Sequence, residues 1–352
     1  MTALLEPAVE TDPVRVIRRA RVTGQARGVT VCAALAGAGF VLFCLSISIG
    51  DFRVPLSDVV PAVFGAGDPA AEFIVGELRL PRTLTAVLVG AAFGLSGALF
   101  QSMARNPLAS PDFIGITSGA SLAAVFAIVT LHWSGNALVL AALVGALASA
   151  TAIYLLAWRR GVSSYRLVLV GIGVAAAVDA GTAYLLTKAR IYDVQSAVIW
   201  LTGSLNGRTW DDVRPLALAM LVLVPFTLSR GRSLGLLMLG DETAAGLGLR
   251  VERSRLLIVL AAVALAACGT AAAGPIEFVA LLAAPIARRL VGSPTALLTS
   301  ALVGAVLVLG ADLVARELIP TTALPVGVVT GIIGAPYLLW LLARSNRVGS
   351  GG

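Results

Sequence analysis

Long apolar runs separated by short polar connections dominate this sequence. The first apolar run covers 29–49, and because about 20 apolar residues cross about 30 Å of hydrocarbon, such a run predicts a transmembrane helix. Nine further runs predict spans at 83–103, 113–131, 137–158, 167–186, 215–228, 256–273, 276–290, 296–313 and 324–342. The sixth and eighth of the ten are short, which is typical of tilted or incomplete spans. The pattern predicts an all-α integral membrane protein with about ten transmembrane helices.

The composition agrees with a chain that lies mostly in lipid. Of 352 residues, 58% are hydrophobic and only 13% are charged, whereas a soluble domain has roughly a quarter of its residues charged. The first apolar run is also longer than the about 7–15 residues of a signal-peptide core, so we expect it to remain as a span. We therefore divide the chain into an N-terminal tail (1–28), a transmembrane domain (29–345) and a C-terminal tail (346–352).

The charge of the chain predicts its orientation. The net charge is +7, but the basic residues flank the apolar runs and form no long tract, which argues against nucleic-acid binding. With the N-terminus in the cytoplasm, 18 of the 26 basic residues fall on the cytoplasmic side, as the positive-inside rule requires. We therefore expect a multi-pass protein of the plasma membrane with both termini in the cytoplasm.

Sequence patterns for catalysis or metal binding are missing. The chain has one lysine, Lys188, and no glycine-rich run before it, so it lacks the P-loop that would bind ATP. Cys32, Cys44 and Cys268 have no paired spacing and no neighbouring histidine, which argues against disulfides or zinc. The single histidine, His132, stands beside a tryptophan at a predicted outer helix end, where an aromatic pair at the membrane interface is expected. We expect neither an enzyme nor a cofactor in this chain.

Three acidic residues lie in or near predicted spans: Asp179, Glu277 and Asp312. Charged groups there cost several kcal/mol unless they face water or a partner, so each is a candidate functional residue. Asp312 and Arg316 are four residues apart and could pair on one helix face. Asp179 has two interpretations, lining a wet pathway or making a structural hydrogen bond.

Small residues are frequent in the spans and predict close helix packing. Gly90, Gly94 and Gly97 share the second span, and Gly327 with Gly331 forms a GxxxG pair. Small residues let helix backbones approach closely in lipid. Such packing could lie within one subunit or between two subunits.

Four groups of short motifs follow one another along the chain: RLPR (79–82) with SGALFQ (96–101), NPLASP (106–111) and GITSGA (115–120); LGDETAAGLG (239–248); GPI (274–276) with IARR (286–289); and LPVGVVT (324–330) with GAP (334–336). In these motifs the chain resembles the FecCD/BtuC-type permeases of siderophore, haem and cobalamin importers. The resemblance covers nearly everything after Gly50. It implies a BtuC-like fold with ten spans.

The resemblance also implies partners and a cargo. Such permeases work in pairs, as two copies or with a relative, together with two ATPase subunits that bind ATP and an extracytoplasmic binding protein. The stretches 201–206 and 287–290 look more like the siderophore branch than the cobalamin branch, which implies a ferric siderophore as cargo. Haem or cobalamin transport is an alternative within the family. An ion-coupled secondary transporter using Asp179 and Glu277 is an alternative of another class, and an intramembrane enzyme ranks last.

Carried over by position, the resemblance assigns roles to individual residues. Arg79 and Arg316 resemble the outer arginines that meet acidic residues of the binding protein, although basic residues simply flanking spans would look the same. The cytoplasmic gate corresponds to Asn106, Leu108, Ser164 and Tyr165.

The coupling helices that seat the ATPase correspond to about 232–250. Within this segment the matching residues are Asp241, Glu242, Thr243, Ala244, Gly246, Leu247 and Gly248. A short helix with two acidic residues at its start is favoured by its own dipole. We expect such a helix to act as a rigid lever against a partner.

Overall fold

A computed structural model describes residues 13–50, 52, 54–112, 115–158, 164–317 and 324–349. Within these ranges the regular structure is helical, with fifteen α-helices. They are α1 (Pro13–Ser48), α2 (Leu56–Val63), α3 (Pro69–Phe73), α4 (Leu80–Ala104), α5 (Ile116–Phe126), α6 (Gly135–Ala157), α7 (Ser164–Lys188), α8 (Ile191–Leu201), α9 (Trp210–Ser229), α10 (Gly231–Met238), α11 (Asp241–Gly246), α12 (Val251–Ala273), α13 (Val279–Val291), α14 (Leu297–Glu317) and α15 (Val326–Gly349). Two π-helical stretches, Ile74–Arg79 and Ala127–Leu131, join α3 to α4 and extend α5.

Each of the ten predicted spans falls on a helix: α1, α4, α5, α6, α7, α9, α12, α13, α14 and α15. In the described part of the chain, seven helices are long and apolar enough to cross a membrane, and the apolar helices Ile116–Leu131 and Val326–Trp340 are shorter. The tenth, α13, has only 13 residues. The prediction of an all-helical membrane protein with about ten spans is confirmed.

The structure lengthens several predicted spans and adds helices between spans. The predicted short sixth span becomes the 20-residue helix α9, because a capping box formed by Thr209 and Asp212 starts the helix in a polar turn that hydropathy does not detect. In the outer connection between the first two spans lie α2 and α3, and the short helix α8 follows α7. These helices were missed because they are too short for a span and only partly buried.

The helices α4, α12 and α14 form the centre of the bundle. Phe93 of α4 lies beside Gly269 of α12, and the Ser96 hydroxyl donates a hydrogen bond to the Ala262 carbonyl at 2.7 Å. Since the numbering rises along one helix as it falls along the other, α4 and α12 run antiparallel. We call the side of the Ala104 end of α4 the inner side, following the orientation that the charges predict.

The glycines of α4 let its neighbours approach to backbone contact. A Cβ at Gly90 or Gly94 would overlap carbonyl oxygens of α14, and a Cβ at Gly97 would overlap the Ala280 carbonyl oxygen of α13. These three glycines therefore pack within one subunit. In the GxxxG pair, Gly327 packs on the Thr202 carbonyl, whereas a Cβ at Gly331 would meet no atom within 4 Å.

Three backbone breaks meet in the interior. The amide of Ser204 donates to the Ala273 carbonyl at 2.8 Å, and the amide of Gly327 donates to the Gly203 carbonyl at 3.2 Å. Backbone groups that have no partner within a helix at these breaks therefore bond to one another. Irregular backbone at membrane depth requires such internal hydrogen bonds. The segments lie far apart in the sequence, and two of them contribute Leu201 and Pro275 to the lining of the cavity described next.

Candidate functional site

A cavity of about 490 Å³ opens between α5, α7 and the break that precedes α13. Its volume lies in the range of roughly 300–1,000 Å³ that is usual for small-molecule sites. Four hydroxyl groups line the cavity, on Thr117, Ser118, Ser121 and Thr182. Three carboxylates line it as well, on Asp112, Asp179 and Glu277. The cavity is therefore polar and acidic, although it lies among apolar helices.

The three carboxylates come from three separate parts of the chain. Sequence analysis singled out Asp179 and Glu277 individually and missed Asp112, which directly follows the motif at 106–111. Asp179 and Glu277 are exposed on the cavity side of this subunit, and Asp112 accepts a hydrogen bond from the Ser110 hydroxyl at 2.9 Å. The structure places Asp179 on the cavity wall, and its role in a transport pathway stays a prediction.

Asp112 lies in the connection between α4 and α5. Removal from water raises the pKa of the Asp112 carboxyl to about 7; the hydrogen bond from Ser110 lowers it, and the nearby Glu277 carboxylate raises it. Below this pH Asp112 is neutral, and above it the residue adds a negative charge. Ionisation of Asp112 therefore adds negative charge to the cavity as the pH rises through about 7.

The wall that carries Glu277 is held in an unusual backbone conformation. Phe278 has a φ of +66°, in the left-handed region that non-glycine residues seldom occupy. Gly334 of α15 lies so close that a Cβ there would overlap the Phe278 side chain. Because Gly334 has no side chain, it leaves room for Phe278. Both Glu277 and Phe278 line the cavity.

The outer arginine Arg79 is a buried structural side chain in this structure. Its side chain is 8% exposed, and its guanidinium donates to the carbonyls of Ile47, at 2.7 Å, and Phe52. These bonds satisfy carbonyls at and beyond the end of α1. Docking of a binding protein through Arg79 stays a prediction.

Arg316 belongs to an ionic cluster between three helices. Its guanidinium lies 3.4 Å from the Asp312 carboxylate, as the spacing predicted, and donates to the Ser46 carbonyl of α1 at 3.2 Å. Arg82 donates to the same carboxylate at 2.8 Å, a contact that the sequence did not indicate. Asp312 is fully buried and neutralises only one of the two arginines. The docking role of Arg316 also stays a prediction.

The predicted gate residues lie at the inner ends of α4 and α7. The Asn106 side chain accepts a hydrogen bond from the Leu108 amide at 2.9 Å and so closes a tight turn after α4. α7 begins at Ser164, and the side chains of Ser164 and Tyr165 lie outside the described part of the structure. The gate assignment stays a prediction.

The predicted coupling segment folds as two short helices, α10 and α11, at the inner side. Most of the α11 residues are exposed, and Leu239 and Leu247, which flank this helix, are 61% and 60% exposed. Ala244 is buried and packs the helix against the bundle. The exposed set comprises Asp241, Glu242, Thr243, Gly246, Leu247 and Gly248. This arrangement leaves one face of the segment open to a partner.

Comparison with known proteins identifies the family. The model of the FecCD transport family matches residues 20–344. The chain belongs to this family. Its members are permease subunits of ABC importers, so this chain is a transport component with several membrane-spanning helices.

Individual relatives match along nearly their whole length. The ferric enterobactin transport system permease protein FepG of Escherichia coli (strain K12) is 43% identical over 90% of this chain and 96% of its own length. The iron(3+)-hydroxamate import system permease protein FhuG of Bacillus subtilis (strain 168) is 39% identical over 87% and 94%. The achromobactin transport system permease protein CbrC of Dickeya dadantii (strain 3937) is 41% identical over 96% and 98%.

A solved structure of the same fold supports this assignment. It is described as an inward-facing conformation of a putative metal-chelate type ABC transporter, and it superposes with a TM-score of 0.81 at 29% identity. The match covers 90% of this chain and 99% of that one. The predicted BtuC-like permease fold is thereby confirmed.

Proposed function

We propose that this chain is the permease subunit of an ABC importer that carries a ferric siderophore across the plasma membrane. The observation that supports this most directly is the cavity of about 490 Å³, whose lining includes Thr117, Ser118 and Pro275 of the family's motifs. Relatives of 39–43% identity are named for ferric enterobactin, iron(3+)-hydroxamate and achromobactin transport. A bulky polar chelate needs a wet, spacious path of this kind, because it cannot cross hydrocarbon.

In this proposal the cavity is one half of the pathway. A second permease subunit, another copy or a relative, supplies the facing wall, where Asp179 and Glu277 are exposed in the single subunit. The pathway opens alternately to the two sides of the membrane as the pair rocks. An extracytoplasmic binding protein delivers the cargo to the outer side, where Arg79 and Arg316 are the proposed docking residues.

Energy comes from two ATPase subunits on the cytoplasmic side. We place their seat on the exposed face of α11, where Glu242 offers a charge and Leu239 and Leu247 offer apolar surface. The permease itself carries out no chemical step and binds no cofactor, because ATP is bound and hydrolysed by the partners. Nucleic acid has no part in this function.

Uptake into proteoliposomes tests the proposal. The chain is reconstituted with its second permease subunit, ATPase and binding protein, and ATP is enclosed with the ATPase side facing the lumen. We expect uptake of a radiolabelled ferric siderophore with ATP, and none with a non-hydrolysable analogue. Haem and cobalamin are offered in parallel, because preferential uptake of either would reassign the cargo within the family.

The same vesicles separate the proposal from ion-coupled transport. With proton and sodium gradients collapsed by ionophores, ATP-driven uptake should continue. Uptake that persists without ATP and stops when the gradients collapse would instead favour a secondary transporter that uses Asp179 and Glu277.

A further inference from the structure

An ionic junction connects the start of α11 with the inner ends of the two central helices. One terminal nitrogen of Arg255, in the first turns of α12, lies 2.8 Å from each carboxylate oxygen of Asp241. Arg105, which directly follows α4 as its C-cap residue, lies 3.9 Å from the same carboxylate. Arg105 also donates to the Leu237 carbonyl of α10 at 2.9 Å. The Asp241 carboxylate is thus paired with the bundle, although its side chain is 52% exposed.

The backbone around α11 offers little stiffness. Gly240 precedes the helix with a φ of +110°, and Gly248 follows it with a φ of +83°. Both are conformations that glycine adopts freely, so each connection can act as a hinge. A push on α11 would bend these hinges unless contacts held the helix to the bundle, as the packing of Ala244 does in the middle of the helix. Asp241 supplies such a contact at the first residue of α11.

The two helices that the junction reaches both lead to the cavity. α12 ends at the break whose Pro275 and Glu277 line the cavity. Gln101, near the inner end of α4, donates hydrogen bonds to the carbonyls of Ala280 and Leu281, and Leu281 is also a lining residue. Arg255 and Arg105 are therefore connected through packed helices to two parts of the cavity lining, the break at Pro275 and Glu277 and the first turn of α13 at Leu281.

We propose that Asp241 is a positioning residue that couples α11 to α12 and α4 through Arg255 and Arg105, and that this junction transmits the movement of the ATPase to the cavity. The proposal rests on the proposed function, in which the ATPase seats on α11. It assigns partner contact to Glu242 and Leu247, and transmission to Asp241.

The matched control removes a different ion pair of Arg255. Glu252, one turn earlier on α12, is 3.6 Å from the Arg255 guanidinium. That ion pair stays within α12 and connects no helix to another. Glu252→Gln therefore removes an interaction of the same arginine without breaking the proposed junction.

The test reads the cavity directly. In a background with the three native cysteines replaced by alanine, Ser118→Cys places a thiol on the cavity wall. Its labelling rate with a maleimide is measured in the reconstituted complex, with and without a non-hydrolysable ATP analogue. We expect the nucleotide to change this rate in the otherwise unaltered protein and in Glu252→Gln. In Asp241→Asn and Arg255→Gln the nucleotide response should fall by up to about fivefold, which is the upper end of the effect of losing a partly exposed ionic contact.

Two further variants separate transmission from seating. The ATPase should co-purify normally with Asp241→Asn and Arg255→Gln, whereas Glu242→Arg should lose the ATPase. The double variant Asp241→Asn/Arg255→Gln should be no worse than Asp241→Asn alone, because Asp241→Asn already removes the contact with Arg255. Arg255→Lys, which keeps the charge, should restore most of the response.

The outcomes that overturn the junction are distinct from failure of the proposed function. An unchanged nucleotide response in both neutral variants, or loss of the ATPase from Asp241→Asn, would overturn the junction. Because thiol labelling requires no cargo, it judges the junction even if the vesicles import no ferric chelate, a result that would overturn only the proposed cargo.

Discussion

At the scale of single residues, the charged groups at the outer side are held by partners that the sequence separates widely. Asp312 is fully buried and receives hydrogen bonds from Arg82, 230 residues away, while Arg316 lies 3.4 Å from it. Burying a charge is costly unless it is paired, and removing one partner leaves the others uncompensated. The cluster therefore holds the outer ends of α1, α4 and α14 together.

Asp312→Asn should be strongly destabilising, because it leaves Arg82 and Arg316 without their shared counter-charge. We expect a loss of about 3 kcal/mol in the free energy of unfolding. The measurement is thermal or denaturant unfolding of the purified chain in detergent.

The control for this variant is Asp211→Asn at the start of α9. Asp211 lies 3.9 Å from Arg214, and both side chains are more than 70% exposed. Its neutralisation should change stability by no more than about 1 kcal/mol. Equal effects of the two substitutions would contradict the structural role of the buried cluster.

At the scale of helices, α4 has glycines at the positions where it meets its neighbours most closely. Gly97 lies against the Ala280 carbonyl, at the level where α13 begins after the break. The same region of α4 carries Gln101, which bonds to the first turn of α13. Close backbone contact therefore fixes the position of the short helix whose preceding break forms the cavity wall.

Gly97→Ala should destabilise the protein by about 1–3 kcal/mol, since the new methyl group forces α4 and α13 apart. Gly37→Ala in α1 is the control, because a Cβ there meets no atom within 4 Å. The control should be neutral or slightly stabilising, as alanine favours a helix over glycine. Melting temperatures in detergent check both variants, and a neutral Gly97→Ala would contradict the close contact.

At the scale of the whole molecule, orientation in the membrane decides whether the proposed function is possible. The coupling segment must face the compartment that holds ATP, and the loop before α9 must face the other side. Leu247 and Asp211 are exposed markers for these two regions. The excess of basic residues in the connections predicts that the side of Leu247 is cytoplasmic.

Cysteine labelling in whole cells tests this orientation. In the cysteine-free background, a membrane-impermeant maleimide should label Asp211→Cys from outside the cell. Leu247→Cys should be labelled only after the membrane is inverted or opened. Labelling of Leu247→Cys in intact cells would reverse the topology and exclude the proposed seat of the ATPase.

Several features of this protein follow from its sequence alone. The ten spans, the missing P-loop, the family motifs and the position of the coupling segment are all properties of local stretches. Lipid imposes them locally, because each span must supply its own apolar surface and satisfy its own backbone hydrogen bonds. Helices such as α8 and α2 were missed because they lie at the surface of the bundle, where this constraint is absent.

Tertiary structure alone decided which polar groups of different helices meet. The sequence suggested Asp312 with Arg316 but not Arg82, and it indicated Glu277 without its neighbour Asp112. Likewise, the contact between Asp241 and Arg255 depends on how α11 packs on α12. A pair between two helices depends on how closely the helices approach and how each is rotated about its axis. The spacing of residues within one helix does not determine either.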